Sequence, residues 1–251
     1  MNYLKKYYLL VGLFTGLQLY SQTTSYNQFW NEIAFVHPFK EKFASELDLD
    51  FSFSNTPENP RLLSTYTQFA TIFALHYYYS GKTNFSLFAG YFSNNYVPEI
   101  GQREYPELRF SGQAIYFLKK IGYILQSRSR LEYRLIENSM GQLDDVFRLR
   151  QRIKYTKPFG RKFIREKTYY GVISDEIFLK SPSTITGSQF FDRNEFTAGF
   201  GYAINNNFTV DLLYTFQYLP RSSGDEIYQA LQLNITLNNP FQNLKKGISK
   251  K

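Results

Sequence analysis

From Phe43 to Phe53 the chain alternates: Phe43, Leu47, Leu49, Phe51 and Phe53 are apolar, with Glu46 before Leu47 and Asp48, Asp50 and Ser52 between the last four. Successive side chains of a strand point to opposite faces, so this run has one oily face and one acidic face. A second run reverses the sign. Between Phe147 and Tyr155, Leu149 and Ile153 alternate with Arg148, Arg150, Arg152 and Lys154. Acidic rows in one strand and basic rows in another, each backed by apolar residues, predict a closed barrel with an ionic interior and a lipid-facing exterior. The expected class is all-β: a single antiparallel transmembrane β-barrel of roughly 10–12 strands.

Period-two segments recur along the whole chain, at 28–36, 42–54, 62–79, 83–94, 105–118, 123–137, 144–156, 167–179, 192–204, 208–218 and 226–237. Most exceed the ~5–6 residues of a globular strand and suit the ~9–11 residues of a tilted membrane crossing. Short connections (His37–Lys40, Ser80–Lys82, Lys119–Gly122, Asn205–Asn207) alternate with longer ones (Asn55–Arg61, Asn95–Glu104, Lys180–Phe191, Leu219–Asp225). Only Lys157–Glu166 breaks that alternation. Bacterial barrels carry even strand numbers with both chain ends in the periplasm, so ten or twelve crossings are expected and 28–36 is the doubtful one. Tyr77–Tyr79, Tyr116, Tyr123, Tyr155, Tyr202 and Phe208 gather near the shorter connections. Phe51, Phe53, Tyr91, Phe92, Phe178, Phe196, Phe216 and Tyr218 lie towards the longer ones, as two interfacial belts would require.

Residues 1–21 read as a secretory signal: Lys5 and Lys6, an apolar stretch from Tyr7 to Leu19, and the small Ser21 at the cut. Barrel then occupies 22–237, and 238–251 is a basic tail ending in Lys250 and Lys251. The implied location is the outer membrane of a diderm bacterium, with its bilayer and lipopolysaccharide as partners. A formal net charge of +8 favours anionic partners, but an exported chain has little access to nucleic acid. With no cysteine, disulfides, thiol nucleophiles and cysteine–zinc sites are excluded. Aromatic residues reach 19%, yet mean hydropathy is negative, a pairing that strands apolar on one face only would produce.

Several short pieces carry a family resemblance: Trp30, Glu107-Leu108-Arg109, Arg128 with Glu132-Tyr133-Arg134, and Phe147-Arg148-Leu149-Arg150. Asp175-Glu176-Ile177-Phe178, Phe191-Asp192-Arg193-Asn194 and Gly199-Phe200-Gly201-Tyr202 follow in order. Across nearly all of the mature length the chain resembles an uncharacterised outer-membrane β-barrel family, domain of unknown function 2490. That resemblance implies a fold and a location and supplies no activity. The family tends to place an arginine directly after the Asn194 position, where this chain has Glu195.

With the more apolar face of each strand outward, the inward charges are Glu46, Asp48, Asp50, Glu107, Arg109, Arg128, Arg130, Glu132 and Arg134. Arg148, Arg150, Arg152, Lys154, Glu176, Arg193, Glu195 and Asp211 complete the set, although the strand of Glu176 alternates poorly. Arg128, Arg130 and Arg134 sit beside Arg148, Arg150 and Arg152 on hairpin neighbours, so carboxylates elsewhere on the wall must neutralise them. The expected role is structural or interactive, with a salt-bridged lumen. A narrow anion-preferring channel for small solutes is the alternative. A membrane-embedded lipid-modifying or hydrolytic enzyme is the third class, with little support. His37 and His76 are the only histidines, and no nucleophile elbow, zinc-protease helix or phosphate loop is present. No cofactor or metal is expected. Gly199 and Gly201 read as room for bulky lumen neighbours.

Overall fold

In the computed structural model, residues 23–240 are described, except 57–58, 98–99, 101–103 and 223. The segments expected as signal peptide and most of the basic tail lie outside them. Strong alternation and scarce helix-forming runs give strands throughout: β1 (Thr24–Lys40), β2 (Phe43–Ser54), β3 (Thr65–Tyr78), β4 (Thr83–Asn94), β5 (Glu107–Lys119) and β6 (Ile124–Glu137). Then come β7 (Leu143–Pro158), β8 (Thr168–Lys180), β9 (Phe191–Asn205), β10 (Phe208–Leu219) and β11 (Glu226–Asn238). Each pairs with its sequence neighbour, and β1 closes on β11.

The barrel expectation holds, with a correction to its count. Eleven strands form the wall, neither ten nor twelve. A meander with an odd number of strands brings its first and last strands together pointing the same way, and β1 and β11 are indeed parallel, from Thr24 opposite Glu226 to Val36 opposite Asn238. The fold is thus antiparallel at every pair but one. The doubtful first segment is a full strand of 17 residues and the longest of the set. His37–Lys40, read as a connection, lies within it. Pro38 misled the reading, yet it sits beside a register shift and beyond the last residue paired to β11, where its missing N–H removes no ladder bond on that side.

Connections 55–64, 95–106, 138–142, 181–190 and 220–225 share one rim; 41–42, 79–82, 120–123, 159–167 and 206–207 share the other. The long 159–167 connection at the short-turn rim has a packing role. Ile164 rests against the buried cluster of Tyr170, Val172, Ala203 and Leu213, so this segment covers the lumen beneath β8–β10. At the opposite rim Val97, Ile100 and Ile185 from two long connections bury against Ile136 and Val146. Asp144 holds the second of these loops, accepting from Ser183 Oγ at 2.5 Å and from Ile185 N at 3.2 Å.

Gly199 and Gly201 face inward on β9. A Cβ on Gly201 would strike the Tyr170 ring and the Asp211 carboxylate, which the Tyr170 hydroxyl meets in a hydrogen bond. Outward-facing aromatics pair directly across strands: Phe43 with Tyr77 and Tyr169 with Tyr202 towards the short turns, Phe53 with Tyr66 and Tyr133 with Phe147 towards the long loops. Such pairs add to sheet stability beyond their area. Phe92 and Phe178 are not among them. Both were expected in an interfacial belt; both are buried inside the lumen.

Candidate functional site

Strands β6 and β7 bring their charges into direct opposition: Arg128 faces Arg152, Arg130 faces Arg150, and Glu132 faces Arg148. Two arginine pairs side by side would repel, so the wall depends on carboxylates reaching in from both flanks. Glu132 accepts from Arg148 Nε at 2.6 Å and from Arg150 Nη1 at 2.9 Å. Glu176, on β8, takes Arg128 Nη2 on both oxygens at 2.5 and 2.6 Å and Arg150 Nε at 2.8 Å. Arg150 therefore bridges two carboxylates. Glu107, on β5, receives the Arg134 fork at 2.7 Å on each oxygen and Arg109 Nε at 2.8 Å. Glu107, Glu132 and Glu176 are all fully buried. Bidentate guanidinium–carboxylate pairing is what makes that burial tolerable.

Aromatic rings complete this layer. Phe178 lies under the guanidinium groups of Arg150 and Arg193, at 4.4 and 5.2 Å from the ring centre. Phe92 carries Arg109 at 3.8 Å and Phe88 carries Arg130 at 4.3 Å. Asp192 draws in Arg193 at 3.0 Å, Arg221 at 3.4 Å and Arg148 at 3.6 Å. Glu195 accepts from Gln217 Nε2 at 2.6 Å.

The far wall is built differently. Strands β1 and β2 each lie five strands from β7 around the ring and point Glu32, Glu46, Asp48 and Asp50 inward. Glu32 and Asp50 are directly opposite each other in the ladder. Among the described residues, of these four acids only Glu46 has a basic neighbour within ion-pair range, His76 at 3.4 Å, whose Nδ1 meets Ser86 Oγ at 2.8 Å. Asp48 and Asp50 each keep a buried Oδ1 without a hydrogen-bond partner among the described residues. Between the walls lies a cavity of about 740 Å³, with Trp30 and Glu32 on one side and Arg152 and Lys154 on the other. It reaches Val36, Tyr78, Asn84 and Asn238 at the short-turn rim. A smaller space of about 130 Å³ remains near the long-loop rim, among Glu107, Arg109, Arg148 and Arg193.

All sixteen charges singled out from the sequence, together with Lys154, thus sit on inward registers, but in two unlike groups. Glu107, Arg109, Arg128, Arg130, Glu132, Arg134, Arg148, Arg150, Glu176 and Arg193 form or flank the ion-paired layer. Glu46, Asp48, Asp50, Arg152 and Asp211 line the larger cavity, and Glu195 touches both spaces. Glu32, Asp192 and Arg221 were missed. Among the described residues no group of three or more histidines and carboxylates is placed to hold a metal ion.

The order of Glu107-Leu108-Arg109, Glu132-Tyr133-Arg134 and Phe191-Asp192-Arg193-Asn194 along this wall coincides with a family match over residues 27–228. The chain belongs to the DUF2490 family of proteins of unknown function. No curated protein matches its sequence. Within this DUF2490 member the matched span runs from β1 into β11, so it takes in both walls of the lumen.

Proposed function

We propose that this protein is an outer-membrane β-barrel with a structural or interaction role, its lumen obstructed towards the long loops by the ion-paired layer. One observation carries the reading: the molecule is oily outside and ionic inside. Leu87 and Phe200 are each 67% exposed, and Leu131, Phe147, Ile173 and Leu212 stand open on the outer face of other strands. Glu107, Glu132, Glu176 and Arg134 are buried in the middle. A water-soluble sheet protein would carry the reverse arrangement, whereas a bilayer supplies the missing apolar solvent.

The lipid bilayer and lipopolysaccharide are the corresponding partners, and the long connections are assigned to the outer side. Folded protein in detergent should run at a different gel position before and after boiling. A single position, with solubility in plain buffer, would sink the barrel-in-membrane reading. The ion-paired layer argues against an open pore, since Arg128, Arg134, Arg148 and Arg150 are each engaged by a carboxylate. In planar bilayers the protein should give no steady conductance. Steady anion-selective current that falls in Arg150→Glu would instead establish the small-solute channel.

A further inference from the structure

The two lumen walls carry acidic and basic side chains that form no ion pair with each other among the described residues. On β2, Asp48 is 8% exposed and its Oδ1 has no donor; Asp50 Oδ1 is likewise unpartnered. Glu32 stands opposite Asp50 and adds a third carboxyl group to this wall. On β7, Arg152 keeps a buried Nε without an acceptor, and neither Arg152 nor Lys154 enters an ion pair with a described residue. Their neighbours Arg148 and Arg150 are already held by Glu132 and Glu176. Unmet negative capacity on one wall and unmet positive capacity on the other are separated by the 740 Å³ cavity.

We propose that this cavity binds a small zwitterionic solute, of the class of short peptides, with its ammonium against Asp48 and Asp50 and its carboxylate against Arg152 and Lys154. The proposal deepens the barrel reading and rests on it. Several physical points select this class. The volume falls within the ~300–1,000 Å³ usual for small-molecule sites. A metal ion is disfavoured because the carboxylates do not converge on one point. An ammonium offers three donors that can serve separated acceptor oxygens, and a carboxylate suits a guanidinium and an ammonium together. A dication would answer the β2 acids but crowd Arg152 and Lys154 with a like charge. A dianion would do the reverse. The charges of a dipeptide also lie farther apart than those of one amino acid, which suits walls that do not touch.

The only tryptophan of the chain, Trp30, lines the same cavity and gives a built-in reporter. The test is a fluorescence titration of the full-length protein, folded in detergent, with alanyl-alanine, putrescine and succinate at matched ionic strength. The expected result is a saturable change with the dipeptide and none with the dication or dianion. The double variant Asp48→Asn/Asp50→Asn, and separately Arg152→Gln, should each weaken the dipeptide at least tenfold. A response to putrescine alone, to succinate alone, or to no probe would overturn the assignment, provided the wild type keeps its heat-dependent gel shift. Loss of that shift in the wild type would refute the barrel reading, and this proposal with it. If the double variant loses its shift, Asp50→Asn alone serves, and unchanged dipeptide affinity in both it and Arg152→Gln overturns the proposal.

Discussion

The β6–β8 wall and the β1–β2 wall use the same alternation of apolar and charged residues, and they end in opposite states. On the first, every acid lies on or beside a strand carrying arginines, so Glu132 and Glu176 are clamped by short bonds and buried completely. On the second, the acids sit among one another, and among the described residues His76 is the one base within ion-pair distance of them. The lesson is that strand neighbourhood, more than the number of charges, decides whether an ionic lumen is sealed or receptive. Cross-strand partners fix salt bridges; charges five strands away face open space.

The largest break in this comparison should come from Glu132→Ala. It strips Arg148 and Arg150 of a buried carboxylate and should cost about 3–5 kcal/mol, read as the shift in urea unfolding of the detergent-folded protein. His76→Ala, on β3, removes the base that contacts Glu46 and should destabilise by about 1–2 kcal/mol, checked in the same assay. A gain is expected from Asp50→Asn, because it ends a like-charge opposition with Glu32; about 0.2–1 kcal/mol of stabilisation is the scale for such pairs. If Asp50→Asn instead destabilised as strongly as Glu132→Ala, the second wall would be as tightly paired as the first. Arg152→Gln, which breaks no ion pair, should stay within about 0.5 kcal/mol of wild type, a difference that replicate unfolding curves can resolve.

How far these walls were legible from residues alone depended on regularity. Alternation through Phe43–Phe53 and Phe147–Tyr155 was enough to orient Glu46, Asp48, Asp50 and the arginine row. It failed wherever the period slipped. A register shift near Leu179 turns both Asp192 and Arg193 inward, although they are adjacent, and counting by twos kept only the arginine. Glu32 lies inside the expected 28–36 segment, but even strand parity made that segment the doubtful crossing, and its inward charge was passed over with it. Phe92 and Phe178 looked like membrane-facing rings, yet they serve as platforms for guanidinium groups, a use that depends on arginines from other strands. Strand parity left no local trace, since the β1–β11 contact joins segments such as Asn31 and Leu233, 202 residues apart.

That parallel seam has a consequence for how the wall is completed. Every other joint can form as soon as a hairpin emerges, but this one waits until β1 and β11, the first and last strands, both exist and lie side by side. Parallel ladders are also slightly weaker per residue than antiparallel ones. Assembly therefore finishes along the seam that runs from Thr24 opposite Glu226 to Val36 opposite Asn238.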